Sequence, residues 1–258
     1  MRRLPILSAI FLTAIVLNTW TMAEETRLEV KHDHLLKSCK GQLIFNDNGV
    51  RYETKDSKHA RDWKYEDIQQ LGIEPNKVVV LTYRDRLLYL GKDEKFTFEV
   101  TEGQVKDSLR AFVEEKLTRP LVSAVLPSEV VVRYRIPVKH RRALRGTEGV
   151  LELSDRYLIY RTTNDQSKGK SDARIWRYDE LVSVGSTGPF QLRVTAMERT
   201  GGEYGGGKNF VFDLKEKLPE QAYDYLWDKI NRPRIDGVSS SDGRASSDKG
   251  VTTVEGGR

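Results

Sequence analysis

Four side chains that can bind a transition metal lie close together near the start of the chain. They are His32, His34, Cys39 and His59, and imidazole nitrogens and thiolates are common zinc ligands. Their spacing matches no closed zinc motif, and only His32 has a counterpart later in the chain, at His140. We therefore predict structural or surface roles for these residues, with no metal ion and no cofactor bound.

The densest positive charge in the chain lies in Lys139, His140, Arg141 and Arg142, followed by Arg145. A cluster of this kind can hold the phosphate groups of anionic lipid headgroups. The other interpretation is a solvated, charged strand edge, which discourages pairing between sheets of different molecules. The sequence leaves both interpretations open, and these five residues form the candidate anion-binding site.

Catalytic motifs are missing from the sequence. The glycine-rich segment 200–208 resembles a phosphate-binding loop, but Lys208 is followed by Asn209 instead of Ser or Thr, and the next apolar segment has strand alternation. A flexible hairpin loop is the favoured interpretation. The sequence contains neither a serine-hydrolase elbow nor a His-Glu-x-x-His motif. We therefore predict no catalytic residues and a protein that is not an enzyme.

The N-terminus is typical of a signal peptide. Met1–Arg3 is basic, the run from Leu4 to Leu17 is apolar, and the small residue Ala23 precedes two acids. We predict that residues 1–23 are removed and that the protein is exported, to the periplasm or out of the cell. The alternative is a single uncleaved N-terminal membrane anchor, because the charge-free run approaches the roughly 20 residues that cross a bilayer.

Composition limits the partners of the protein. The 258 residues are 38% hydrophobic and 31% charged, which favours a soluble, folded protein with a polar surface. Removal of residues 1–23 lowers the formal net charge from +5 to +3. So weak a positive charge does not support nucleic-acid binding, which usually needs a strongly basic domain.

An eight-residue pattern occurs twice, at Arg61–Ile68 and at Arg174–Leu181. Both copies place Arg, Trp, a basic residue, Tyr, two acids and an aliphatic residue in the same order. Matches continue upstream at a constant offset of 108, as between Gly41–Phe45 and Gly149–Leu153, and the offset becomes 113 at the tryptophans. The extra residues of the second copy fall in the polar segment 163–170. The pattern indicates an internal duplication.

Each copy has the pattern of several strands followed by one helix. Apolar and polar residues alternate on either side of the turn at Asp47–Gly49, which predicts a hairpin. Apolar stripes at helical spacing then end both copies. Their residues are Val105, Leu109, Phe112, Val113 and Leu117 in the first copy and Ala222, Tyr223, Leu226, Trp227 and Ile230 in the second.

These motifs resemble the pleckstrin-homology-like superfold, nearest to its GRAM-like and bacterial branches. The residues that carry the resemblance are Gly-x-Leu-x-Phe at 41–45, Val-x-Tyr at 50–52, Trp-x-Tyr-x-Asp-Ile at 63–68 and the paired phenylalanines of 96–98. The resemblance implies a mainly β fold with α-helix: two barrels, each an antiparallel curved sheet closed by a C-terminal amphipathic helix. It implies no ligand, because a fold does not fix function.

The predicted organisation follows from the duplication. We expect module 1 at 27–118, a linker at 119–128 that is apolar enough to bring the modules into contact, and module 2 at 129–232. The Ser- and Gly-rich tail at 233–258 is predicted to be disordered. The predicted structural anchors of the two modules are Trp63, Tyr65, Ile68, Trp176, Tyr178 and Leu181.

The predicted function is non-catalytic binding or scaffolding, with an unknown protein or peptide as partner, engaged by an exposed strand edge. The alternative is a peripheral membrane protein that binds anionic lipid headgroups through residues 139–145. Functional differences between the copies are expected where the sequences disagree, at Asp33 against Arg141 and in the loops 163–170 and 200–208.

Overall fold

The computed structural model describes most of the chain between residues 25 and 231. The described residues are 25–33, 38–86, 89–143, 146–163, 172–199 and 207–231. The predicted signal peptide at 1–23 and the predicted disordered tail at 233–258 lie outside them. Within these described ranges, no helix is long and apolar enough to cross a membrane.

The described residues of the first half form seven strands and one helix. They are β1 (Thr26–Asp33), β2 (Ser38–Asn46), β3 (Gly49–Thr54), β4 (Arg61–Lys64), β5 (Ile68–Glu74), β6 (Lys77–Arg86), β7 (Tyr89–Val100) and α1 (Asp107–Lys116). The predicted linker contributes a short strand, β8 (Leu121–Ser123).

The described residues of the second half again form seven strands and one helix. They are β9 (Val132–Arg141), β10 (Thr147–Ser154), β11 (Tyr157–Thr162), β12 (Arg174–Arg177), β13 (Leu181–Gly188), β14 (Gln191–Ala196), β15 (Lys208–Leu214) and α2 (Glu220–Asn231). The chain is therefore mainly β, as predicted.

All of these strands belong to one 15-stranded sheet, in the order β13-β14-β15-β9-β10-β11-β12-β8-β5-β6-β7-β1-β2-β3-β4. The order from β9 to β15 repeats the order from β1 to β7, so the sequence duplication reappears as a repeated topology. The sheet is not closed, because β13 and β4 lie at its two ends.

The prediction of two separate barrels is wrong, because strand β8 joins the halves. It pairs in parallel with β5, where Leu121 lies opposite Leu71, and antiparallel with β12, where Ser123 lies opposite Ile175. Buried backbone amides and carbonyls need hydrogen-bond partners, and the free edges of β5 and β12 supply them to the buried linker. The result is one mixed sheet in place of two antiparallel ones. A three-residue strand is too short to show a period in the sequence.

Each half keeps its own apolar core. In the first half, Leu109 and Val113 of α1 pack against the strands, and in the second half Ala222 and Leu226 of α2 do the same. These residues belong to the stripes predicted from helical spacing. Trp227, predicted in the second stripe, is instead 46% exposed. The cores are thus formed within the halves, while the sheet runs through both.

The duplicated Trp and Tyr residues occupy matching places in the two cores. Trp63 lies 4.9 Å from Phe96 between ring centroids, and Trp176 lies 4.8 Å from Phe210. The six predicted anchors are buried, apart from the half-buried Tyr65: Trp63, Tyr65, Ile68, Trp176, Tyr178 and Leu181.

The hydroxyls of the duplicated tyrosines bind matching backbone carbonyls. Tyr65 donates to the carbonyl of Asn46 at 3.0 Å, and Tyr178 donates to the carbonyl of Ser154 at 2.7 Å. Each tyrosine begins a one-turn 3-10 helix that follows the Trp-bearing strand of its own half. Each turn is therefore fixed to its own half by an equivalent hydrogen bond.

Candidate functional site

The predicted anion-binding residues do not share one exposed face. Lys139 and Arg141 are exposed, whereas His140, between them on strand β9, is buried. Neighbouring residues of a strand point to opposite faces of the sheet, which separates this histidine from the two cations. Arg142 is exposed just beyond the strand, and Arg145 lies outside the described residues.

Both arginines of this run that the structure describes contact acids. Arg141 Nε lies 3.2 Å from Asp213 Oδ2 on β15, and an Arg142 nitrogen lies 2.8 Å from Asp172 Oδ1. These contacts offset the positive charge that the sequence suggested for an anionic surface. Binding of anionic lipid by this run remains a prediction.

His140 lies inside an aromatic cage. Its ring lies 5.2 Å from that of Phe212 and 5.6 Å from that of Tyr160, and Nδ1 lies 3.0 Å from Asp172 Oδ2. Burial acts to raise the pKa of Asp172, but its interactions with His140, Thr147 and Arg142 together hold that pKa below its usual value. The packing shows that this histidine is part of the core of the second half.

The first half contains the matching cage. The His32 ring lies 4.9 Å from Phe98 and 6.0 Å from Tyr52, the equivalents of Phe212 and Tyr160. The one histidine pair that the duplication preserves is thus accounted for by packing among the same three ring types.

Cys39 and His59 are the other described residues among the four that were considered as metal ligands. Cys39 Sγ lies 3.2 Å from His59 Nδ1, and Asp56 Oδ2 lies 3.3 Å from the same nitrogen. His34 lies outside the described residues. In the part of the chain that the structure describes, no group of three His, Cys, Asp or Glu residues is arranged to hold a metal ion.

The glycine-rich segment 200–208 is described only at Gly207 and Lys208. Lys208 is the first residue of β15, and its Nζ lies 2.7 Å from Glu198 Oε1. A strand therefore follows this lysine, where a phosphate-binding loop requires a helix.

A groove of about 300 Å³ opens where the two halves meet. It lies between β5 and β6 of the first half and β13 and the end of β14 of the second. We call it the junction groove. Its lining residues are Gln69, Gln70, Tyr83, Arg119, Pro120, Val182, Met197, Arg199 and Gly207.

Equivalent residues of the two halves line this groove. The register between β5 and β6 leaves Gln69 as the extra residue of a β-bulge, and the register between β13 and β14 leaves Val182 in the same position. One strand further on, Tyr83 and Met197 are also equivalent. A bulge re-aims the side chain of its extra residue, so each half places its bulge residue in the lining of the junction groove.

Two neighbouring glutamines at the groove have different hydrogen-bonding states. Gln70 joins the halves, because its amide donates to the carbonyl of Arg199 at 3.0 Å and its oxygen accepts from the amide of Arg199 at 2.7 Å. Gln69 is 7% exposed, and its buried Oε1 has no hydrogen-bond partner among the described residues. Buried carbonyl oxygens of native proteins are rarely unpaired, which makes this oxygen a candidate ligand contact.

The rim of the groove is apolar and carries positive charge. Tyr83, Val182 and Met197 are 48%, 52% and 42% exposed, respectively. The guanidinium of Arg119 lies 5.5 Å from the Tyr83 ring centroid. None of the lining residues is acidic, and neither Arg119 nor Arg199 forms an ion pair with another described residue. The groove thus combines apolar surface, two cations and a buried acceptor.

A larger cavity of about 530 Å³ lies between α1 and strands β11 and β12. Several of its charged groups are paired with each other. The guanidinium of Arg110 contacts Asp107 at 2.8 Å and also bonds to Glu114, which accepts from the Tyr157 hydroxyl at 2.8 Å. This network links the helix of the first half to a strand of the second, and we assign it a structural role.

Glu180 fixes the linker strand to the second half. Its carboxylate accepts hydrogen bonds from the backbone amides of Leu121, at 2.8 Å, and Arg177, at 2.9 Å. Burial raises the pKa of Glu180 to about 7, although these amides and the Arg177 charge act in the opposite direction. The equivalent residue of the first half, Asp67, is exposed because no linker strand covers it.

The two edges of the sheet differ in length and charge. Strand β4 has four residues, of which Arg61, Asp62 and Lys64 are charged. Short, charged edge strands are a common protection against pairing with other chains. Strand β13 has eight residues and no charged side chain, and no described strand pairs with its outer edge. It meets the junction groove at Val182.

Comparison with known proteins leaves the family open. No protein-family model and no curated protein matches the chain. Among solved structures, the chain is similar to the Spt16D–Pob3N heterodimer at 12% identity, with 68% of this chain and 84% of that chain covered and a TM-score of 0.29. It is also similar to the hSac2 domain of the human phosphoinositide phosphatase Sac2 at 12% identity, with 44% and 85% covered and a TM-score of 0.26. We base no functional step on such distant likenesses.

Proposed function

We propose that this protein is an exported, non-catalytic binding or scaffolding protein that takes an extended segment of a partner protein or peptide as an added strand along β13. The observation that carries the proposal is the uncharged, eight-residue open edge of β13 beside the junction groove. In strand addition, main-chain hydrogen bonds supply affinity, and neighbouring pockets select alternate side chains. The same proposal treats the two halves as tandem GRAM-like, pleckstrin-homology-like units that share one sheet.

The rigidity of the junction supports this proposal. Strand β8 pairs with both halves, Gln70 holds the backbone of Arg199, and Glu180 holds the amide of Leu121. The groove and the edge strand therefore keep their relative positions without a partner. Preorganised sites bind more tightly because less conformational entropy is lost on association.

The contrast between the two sheet edges also supports β13 as the binding edge. An added strand would have to lie against the charged side chains of β4, whereas β13 contains only Leu, Val, Ser, Thr and Gly. We do not propose lipid binding by the 139–145 run, because Arg141 and Arg142 already contact acids.

A peptide selection with an N-methyl scan tests the proposal. Peptides long enough to span β13 are selected from a random display library on the purified protein, and each backbone amide of the selected peptide is then methylated in turn. Since an added strand turns alternate amides toward its neighbour, methylation of every second residue should abolish binding, and methylation of the residues between should not. Failure to recover any peptide, or uniform sensitivity along the peptide, would refute strand addition.

A further inference from the structure

We infer that the junction groove selects an acidic residue, Asp or Glu, in the extended segment of the partner protein, next to an apolar residue that packs on the rim. This inference rests on the proposed function, because it names the chemistry of the segment that lies along β13. It follows from the charge, the unpaired acceptor and the apolar rim of the groove.

Charge complementarity gives the acidic preference. Arg119 and Arg199 both line the groove, none of the lining residues is acidic, and neither arginine forms an ion pair with another described residue. Arg110, which lines the larger cavity, is by contrast paired with Asp107 and Glu114. A carboxylate is the natural partner of a guanidinium, whose donors match its two oxygens.

The buried glutamine indicates that the segment is a peptide backbone. The side chain of the neighbouring Gln70 already binds peptide backbone, because it forms hydrogen bonds with both the amide and the carbonyl of Arg199. Gln69 follows Ile68 at the bulge, lines the groove, and has a buried Oε1 without a hydrogen-bond partner among the described residues. The backbone amide of an added segment supplies the donor that this oxygen lacks.

The size and apolar rim of the groove restrict the segment to a short stretch. At about 300 Å³, the groove is at the small end of the range for ligand pockets. The exposed Tyr83, Val182 and Met197 offer apolar surface to one side chain beside the acid. We therefore expect the groove to contact only a few residues of the segment and the edge of β13 to pair with the rest of it.

The charge preference is tested with matched peptides. The acidic residue of a selected peptide is replaced by its amide, Asp by Asn or Glu by Gln, and affinities are measured by fluorescence anisotropy. We expect the amide peptide to bind about tenfold more weakly. We also expect the double variant Arg119→Gln, Arg199→Gln to lose about the same factor for the acidic peptide and little for the amide peptide.

Arg193→Gln is the control for a general loss of positive charge. Arg193 is an exposed residue of the neighbouring strand β14, lies outside the groove lining and forms no ion pair with a described residue. Its replacement should leave both affinities unchanged. Equal affinity of the acidic and amide peptides, or an equal loss in the control variant, would overturn the inference.

Gln69→Leu and Gln70→Leu separate a binding role from a structural one. Gln69→Leu removes an unpaired buried oxygen, so it should raise the melting temperature by about 2 to 4 °C while weakening peptide binding. Gln70→Leu breaks both hydrogen bonds to Arg199 and should lower the melting temperature. Unchanged peptide affinity in Gln69→Leu would contradict the ligand contact that we assign to this oxygen.

The inference and the proposed function fail in different ways. If peptides show the alternating N-methyl sensitivity without any preference for an acid, the acidic selectivity is wrong and strand addition stands. If acidic peptides bind without alternating sensitivity, the groove binds a carboxylate but β13 does not receive a strand. If no peptide binds, both are wrong.

Discussion

Glu180→Gln should remove a pH dependence of stability that originates where the linker strand meets the second half. Glu180 is 5% exposed, and burial raises the pKa of its carboxyl from an ordinary 4.5 to about 7. The folded protein therefore holds this proton more tightly than the unfolded chain does. The stability gained from protonation is fully present below pH 4.5 and is lost as the pH rises through 7.

The expected magnitude follows from the size of this shift. Each pKa unit corresponds to about 1.4 kcal/mol, so the shift of Glu180 is equivalent to a loss of about 3 kcal/mol of unfolding free energy between pH 4.5 and pH 8. Glutamine has the shape of the protonated acid and does not ionise. Each carboxylate oxygen of Glu180 accepts a backbone amide, and the glutamine nitrogen cannot accept one, so Glu180→Gln should be about 1–3 kcal/mol less stable than the unaltered protein near pH 5. This difference should change by up to about 3 kcal/mol in favour of Glu180→Gln as the pH rises to 8, because only the unaltered protein loses the stability gained from protonation.

Urea denaturation across this pH range provides the assay, with Asp67→Asn as the matched control. Asp67 occupies the equivalent position in the first half but is exposed, so its replacement should leave the pH profile parallel to that of the unaltered protein. The reasoning is refuted if Glu180→Gln keeps the full slope between pH 5 and pH 8, or if Asp67→Asn removes it.

Three further predictions concern packing, buried charge and the basic run. A Cβ added at Gly41 would lie 2.0 Å from a backbone oxygen, whereas one added at Gly185 meets nothing within 4 Å. Thermal melts should therefore show that Gly41→Ala is strongly destabilised and that Gly185→Ala is no less stable than the unaltered protein. Asp172→Asn should lower the unfolding free energy at pH 7 by about 1–3 kcal/mol. This difference should shrink as the pH falls through the lowered pKa of Asp172. Equal urea midpoints of the variant and the unaltered protein at pH 7 would contradict the prediction. Because Arg141 and Arg142 contact acids, the protein should sediment equally with neutral and with phosphatidylglycerol vesicles at low salt. A preference for the anionic vesicles that is lost in the double variant Arg141→Gln, Arg142→Gln would support lipid binding instead.

The sequence predicts the local elements of this fold better than their assembly. The alternation around Asp47–Gly49 and the repeated Trp and Tyr residues are local signals, and they identify strands and a duplication that the topology repeats. The union of the halves depends on β8, whose three residues pair with strands far away in the sequence. The sequence predicts two separate barrels because a linker of this kind carries no period that marks it as a strand.

The candidate site was missed for a related reason. Gln69 and Val182 reach the groove through β-bulges, and a bulge depends on strand register, which alternation in one strand does not reveal. The basic run at 139–145 is evident in the sequence because it is contiguous, whereas the acids that contact Arg141 and Arg142 are distant in sequence. The signal that the sequence does contain is the difference in polarity between Gln69 and Val182, which follow Ile68 and Leu181 at equivalent positions of the two copies.

Hydrogen exchange of the β13 backbone amides tests the central claim most directly. The protein is compared with and without a selected peptide, and exchange is followed at residues 181–188 of β13 and at residues 61–64 of β4, the other edge of the sheet. Strand addition predicts slower exchange of alternate amides along β13 and no change along β4. Peptide binding without protection of β13, or with protection of β4 instead, would contradict the claim that β13 is the binding edge.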